Sequence, residues 1–143
     1  MEKQPVQIIP YLAFHGNCEE ALNTYLAAFG GEMLYLSRWS EEACETPELI
    51  GKVMHAECLL GTTRMAAGDT FEDRDVCMPL KLMVHLASTE EAQHAIEQLA
   101  QGGAVLSALK PHPAPDDAGC GAIVRDAFGI TWIITCPNPA KTA

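Results

Sequence analysis

His55 and Glu57 stand one residue apart in the run Val53-Met-His-Ala-Glu-Cys-Leu-Leu60. On a strand, alternate side chains point to the same side, so this imidazole and carboxylate share one face. Such a pair can serve as a general base, a polar ligand anchor or a weak metal site. A hydrogen-bonded, half-buried structural pair is the ordinary alternative, and both readings stay open. The remaining histidines carry weaker signals. His15 follows an apolar run and reads as a strand-end residue in solvent. His85, in Lys81-Leu-Met-Val-His-Leu86, shares a face with Lys81 and Met83 by alternation and reads as a satisfied structural histidine. His94 falls on a helix's polar side and His112 in a proline-rich loop, and neither is given a role. Asp69 either orients a ligand or shapes the Gly-Asp turn. Phe14, Phe128 and Trp132 are the aromatics expected near a ligand pocket, with core packing as the alternative. The cysteines at 18, 44, 58, 77, 120 and 136 form no CxxC pair, which removes the zinc-ribbon and thioredoxin patterns. Cys58 faces away from His55, so no thiol reads as a nucleophile. The acidic stretch from Glu41 to Glu48 lacks an Asp-x-Asp calcium loop and reads as a solvated face.

Two elements of matching design must position these residues. Ile8 to Phe14 is a short apolar and aromatic run of strand type. Gly16 breaks it, Asn17 is a good helix N-cap, and Glu20 can close a capping box. Ala21, Leu22, Tyr25, Leu26 and Phe29 follow helical spacing, and Gly30-Gly31 stops the helix. Ser88-Thr-Glu-Glu91 is a second capping box, Ala92, Ala95, Ile96 and Leu99 a second apolar stripe, and Gly102-Gly103 a second stop. The caps lie 71 residues apart and the glycine pairs 72, which predicts a duplicated unit.

Each copy reads strand, helix, strand, strand, strand. In the first, strands are expected at Glu32–Trp39, Lys52–Leu60 and Arg64–Ala67, with an acidic loop or short helix over 40–51. In the second they are expected at Pro79–Leu86, Ala104–Leu109, Cys120–Arg125 and Ile130–Cys136. The three prolines of Lys110–Gly119 predict a loop, and the tail from Pro137 is expected to fray. The expected fold is therefore α+β, with two βαβββ modules forming cupped mixed sheets. The expected boundaries are 1–70 for the first module, 71–77 for a connector, 78–137 for the second module and 138–143 for a tail. Each helix covers one sheet face, and the opposite faces are expected to enclose a pocket between the modules.

The chain has 143 residues, 48% of them hydrophobic, which is enough for a core. A net charge of −10 argues against nucleic acid or an anionic membrane as partner. Met1-Glu-Lys-Gln-Pro5 is polar, so no secretory leader is expected. No apolar run is long enough to span a bilayer. The expected location is cytoplasmic, with reduced thiols.

The run PYLAFHGNCEEALNTYLAAFGGE, followed by VMHAECLLGTTRMAAGD and closed by DAFGITWIITC, resembles the PhnB-like branch of the vicinal-oxygen-chelate superfamily. That superfamily includes glyoxalase I, extradiol dioxygenases, fosfomycin resistance enzymes and bleomycin-binding proteins. The resemblance covers about Ile8 to Cys136 and implies the glyoxalase-like fold and a homodimer. The superfamily's enzymes carry four metal ligands, one on the first and one on a later strand of each module. Motif by motif, those positions transfer to about Pro10, to His55, and to about Leu82 and Ile133, of which only His55 can ligate. Catalytic zinc takes about three protein ligands, so no metal and no cofactor is expected. The resulting expectation is a small-molecule-binding protein with an apolar pocket near Phe14, His55, Glu57, Phe128 and Trp132. The alternative is a metal-dependent lyase or dioxygenase using His55 and Glu57. A structural module with a vestigial pocket is a third possibility.

Overall fold

The computed structural model describes residues 7, 9–42, 46–70 and 80–141. The chain divides into two compact units, Met1–Asp73 and Arg74–Ala143. Among the described residues the first unit contains strand β1 (Tyr11–Phe14), helix α1 (Cys18–Phe29) and strands β2 (Gly31–Arg38), β3 (Val53–Leu60) and β4 (Thr63–Asp69). A short 3-10 turn at Pro47–Leu49 interrupts the acidic loop. The second unit contains β5 (Leu82–His85), α2 (Thr89–Ala100), β6 (Ala104–Pro111), β7 (Gly119–Arg125) and β8 (Thr131–Pro137). The sheet orders are β1-β4-β3-β2 and β5-β8-β7-β6. In each sheet the first strand runs parallel to the last and the other pairings are antiparallel. The duplicated α+β architecture is thus present in the topology as well as in the sequence.

The helices form for the expected reason. Cys18, Ala21, Leu22 and Tyr25 on α1, and Ala92, Ala95, Ile96 and Leu99 on α2, are the buried stripes. Their spacing places them on one side of a 3.6-residue helix. Full burial of side chains such as Phe14, Leu22 and Leu99 contributes about 1.5–3 kcal/mol each. Both glycine pairs have the same division of labour. Gly30 and Gly102 take left-handed φ of 77° and 74°, and a Cβ on Gly31 or Gly103 would run into the backbone carbonyl of Leu59 or Arg125.

The two helix starts differ. Ser88 Oγ accepts from Glu91 N at 3.1 Å, and Glu91 Oε2 returns to Ala87 N at 3.1 Å. Among the described residues Asn17 makes no side-chain cap, and its buried Oδ1 finds no partner. The acceptor there is Asp69, at the far end of β4. Its Oδ1 takes Gly16 N at 2.8 Å and Cys18 N at 3.0 Å. The expected capping box at Asn17 is therefore replaced by a cap from another strand. Ser88→Ala should cost about 1 kcal/mol, whereas Asn17→Ala should leave stability within about 0.5 kcal/mol of the parent. Urea titration of the two variants checks this, and equal losses would count against the assignment.

Other boundaries shift modestly. β6 continues through Lys110 and Pro111, paired with Gly121 and Cys120, so the proline-rich loop is shorter than expected. The segment after β8 is held rather than frayed. Asn138 is buried, its Nδ2 donates to Asp117 O at 2.8 Å, and Lys141 pairs with Asp117 at 3.3 Å. Ile8, Cys44, the connector over 71–77 with Cys77, and Met78 and Pro79 at the expected start of the second module lie outside the described residues.

Candidate functional site

Helix α1 packs on β3 and β4, and α2 on β6, β7 and β8. Each sheet therefore has a helix-covered face and an opposite one, called here its open face. Strand register decides which residues occupy the open face. In the first sheet Tyr11, Ala66, Glu57 and Tyr35 stand in one row across all four strands, with Ser37 opposite His55 in the next. Leu12, Ala67 and Ala56 form the alternate, buried row.

The open row gathers a compact polar and aromatic cluster. The His55 ring lies 5.9 Å from Tyr11, nearly parallel at 23°, and 6.1 Å from Tyr35, tilted by 49°. These separations fall in the range of favourable ring pairs. Gly68 makes the first contact possible: the Tyr11 hydroxyl lies where a Cβ at Gly68 would be. Tyr11 and Tyr35 are 54% and 53% exposed. His55 Nε2 is 3.4 Å from Glu57 Oε2. The other oxygen, Glu57 Oε1, accepts from Arg64 Nε at 2.9 Å and contacts its terminal nitrogen at 2.8 Å. The Arg64 guanidinium, then His55, holds the Glu57 carboxyl below the usual glutamate range. That contact is present above the ordinary glutamate pKa and is lost as pH falls through the lowered one. With the carboxylate in that state, His55 Nε2 is placed as a donor.

Sequence reasoning singled out His55 and Glu57, and the structure brings them to one face. Of the three expected pocket aromatics, Phe14 and Trp132 are buried in their strands' inward rows and Phe128 lies in a turn. Phe14 is fully buried in register with Asp69. Trp132 is 2% exposed, and its Nε1 donates to Asp126 Oδ2 at 2.8 Å. Phe128 lies in the turn before β8, its N–H bonded to Asp126 Oδ1. Both buried rings fall on the inward parity of their strands, so core packing accounts for them. Tyr11, Tyr35 and Arg64 were missed. The alternation of Tyr11 against buried Leu12 and Phe14 was a usable signal. So was the two-residue Gly61-Thr62 hairpin, which sets Arg64 opposite Leu59 and diagonal to Glu57.

The donor set does not fit the divalent metal of the superfamily's enzymes. Pro10 precedes β1, and Leu82 is in register with buried Trp132, not with an open-face residue. Ile133 pairs with exposed Met83 on the open side but has no lone pair. The Glu57 carboxylate is engaged by Arg64. Among the described residues no three His, Cys, Asp or Glu side chains come together in a way that could hold an ion.

Three of the described thiols, Cys18, Cys58 and Cys136, are poorly placed as nucleophiles. Burial, with the Asp69 charge second, pushes Cys18 up to about 12, and burial also raises Cys58 and Cys136. At pH 8 the Cys18 thiolate fraction is then on the order of one in ten thousand. Native-state alkylation with iodoacetamide, read peptide by peptide by mass spectrometry, should leave Cys18 unmodified and label it fully after denaturation. Rapid native labelling would contradict this environment.

A family model described as 3-demethylubiquinone-9 3-methyltransferase matches residues 6–135. Protein PA1353 from Pseudomonas aeruginosa is 27% identical over 93% of this chain and 98% of its own, with a TM-score of 0.80. The PhnB protein from Bacillus cereus is 28% identical over 92% and 99%, with a TM-score of 0.78. The fosfomycin resistance protein FosX from Listeria monocytogenes, in a complex with Mn(II) and sulfate, shares the fold at 11% identity, 97% and 98% coverage and a TM-score of 0.63. No curated protein matches the chain.

Proposed function

We propose, starting from the fact that the chain belongs to the PhnB-like 3-demethylubiquinone-9 3-methyltransferase family of the vicinal-oxygen-chelate superfamily, that it is a small-molecule-binding protein. The observation that carries this reading is the His55 ring set between exposed Tyr11 and Tyr35 on the sheet face away from helix α1. Solvent-facing rings gathered around an imidazole offer a stacking surface for a planar molecule. Glu57 and Arg64 supply an acceptor and a donor beside it, so a ring with polar substituents is the chemistry that fits. The Mn(II) of the Listeria protein stays with that protein, because the residues here do not form a ligand set.

The protein is read as cytoplasmic, consistent with the free thiols of Cys18, Cys58, Cys120 and Cys136. Among the described residues no helix is long and apolar enough to cross a membrane. It is also read as a homodimer, supported by exposed Leu34 on edge strand β2 and exposed Val105 and Leu106 on edge strand β6. Unpaired apolar edges of this kind favour a partner strand. Light scattering should give about twice the 15.4 kDa chain mass.

The binding reading is tested by thermal shift with a panel of substituted aromatic compounds. Compounds that raise the melting temperature of the parent should lose their effect in Tyr11→Ala and His55→Ala. If no aromatic compound stabilises the parent, or if hits act equally on both variants, the reading fails. Zinc calorimetry on the parent should give only weak heats. Submicromolar binding abolished by His55→Ala would favour metal chemistry instead.

A further inference from the structure

The open face of the second sheet carries an imidazole whose hydrogen bonds determine its tautomer. His85, the last residue of β5, is in register with Thr135 of β8, which is in register with Gly121 of β7. His85 Nδ1 lies 2.9 Å from Thr135 Oγ1. Thr135 Oγ1 in turn donates to the Val84 carbonyl at 3.0 Å. A carbonyl oxygen only accepts, so the hydroxyl's single proton is used there. The 2.9 Å contact is then a hydrogen bond only if Nδ1 carries the proton. A neutral imidazole has one N–H, so Nε2 is left with its lone pair. His85 is exposed, so that lone pair is accessible.

An apolar row lies next to His85 on this face. Met83, 66% exposed, is in register with Ile133, and Ile133 with Ile123, in the row next to His85 and Thr135. The His112 ring lies over Gly121, beside Thr135, in the space a Cβ there would fill. The arrangement is an oriented acceptor on His85 at the border of an apolar row, with the His112 ring on the far side of Thr135.

We propose that His85 is a ligand-binding residue whose Nε2 accepts a hydrogen bond from a hydroxyl of the phenol or enol class, with the ligand's carbon frame on Met83 and Ile133. A bare imidazole lone pair selects hydroxyl donors over ethers of the same shape, because an ether leaves it unpaired. Thr135 is the positioning residue, acting through the tautomer. The inference rests on the second unit alone and stands or falls independently of the cluster around His55.

The test is long-range proton–nitrogen correlation NMR on protein labelled with nitrogen-15 histidine, under alkaline conditions that keep imidazoles neutral. His85 should show a protonated Nδ1 and an unprotonated Nε2. Thr135→Val should shift the population to the Nε2–H form, and Thr135→Ser, which keeps the hydroxyl, should restore the parent pattern. A parent His85 protonated on Nε2 overturns the proposal. Phenol and anisole are then titrated into the parent as the donor and non-donor probes. Phenol should move the His85 Nε2 resonance and anisole should not. An equal response to both, or no response to phenol at its solubility limit, overturns the binding role.

Discussion

Asp69→Ala should lower the free energy of unfolding by about 4 kcal/mol, given that three charge-assisted acceptor contacts are lost and buried donors are left unpaired. The carboxylate is 3% exposed. Its Oδ1 receives the amides of Gly16 and Cys18, and its Oδ2 receives Val53 N at 3.0 Å. One side chain thus joins the β1–α1 turn, the start of α1 and the start of β3. Alanine leaves all three amides without their acceptor in a site that excludes water. For a chain of this size the loss corresponds to a melting temperature lower by roughly 10 °C. Asp69→Asn should fall in between. Its single amide oxygen can still serve Gly16 and Cys18, but its NH2 group then faces the Val53 N–H, donor against donor. Chemical denaturation of both variants, followed by circular dichroism, measures the ordering. If Asp69→Ala behaves like an ordinary surface change, within about 0.5 kcal/mol, the carboxylate is not the cap of α1.

Asp126→Ala is expected to cost about 3–4 kcal/mol by the same accounting. Asp126 is 3% exposed and accepts from Phe128 N and Ile130 N at 2.9 Å each and from Trp132 Nε1 at 2.8 Å. It closes the β7–β8 turn and satisfies the indole of a ring buried in the core of the second unit. The indole N–H resonance of Trp132 gives a site-specific readout. It should move strongly in Asp126→Ala, whereas Trp132→Phe, which removes the donor along with the ring's polar end, should cost less than removing the acceptor. If the indole resonance stays in place while stability falls, the loss belongs to the turn alone.

The two aspartates show why local patterns locate elements better than they locate contacts. Asn17 and Ser88 occupy matching places in matching motifs, yet only Ser88 caps its helix through its own side chain. At the first helix a carboxylate more than fifty residues downstream takes that role. Sequence marked Asp69 as a turn residue or ligand anchor, because the Gly-Asp pair is all that its neighbourhood contains.

What the sequence determined was whatever depends on near neighbours. The helical stripes, the glycine stops, the duplicated order of elements and the shared face of His55 and Glu57 all follow from spacings of a few residues within one element. What the tertiary structure decided was whatever depends on register between strands. Pairing Tyr11 with Ala66, Ala66 with Glu57 and Glu57 with Tyr35 assembles the open-face cluster from four separate strands. A slip of one residue would send each of those side chains to the other face. The same parity takes Phe14 and Trp132 into the core, although their aromatic character alone suits either side. Residue type sets what a side chain can do, while the sheet sets which face it is on and what stands beside it.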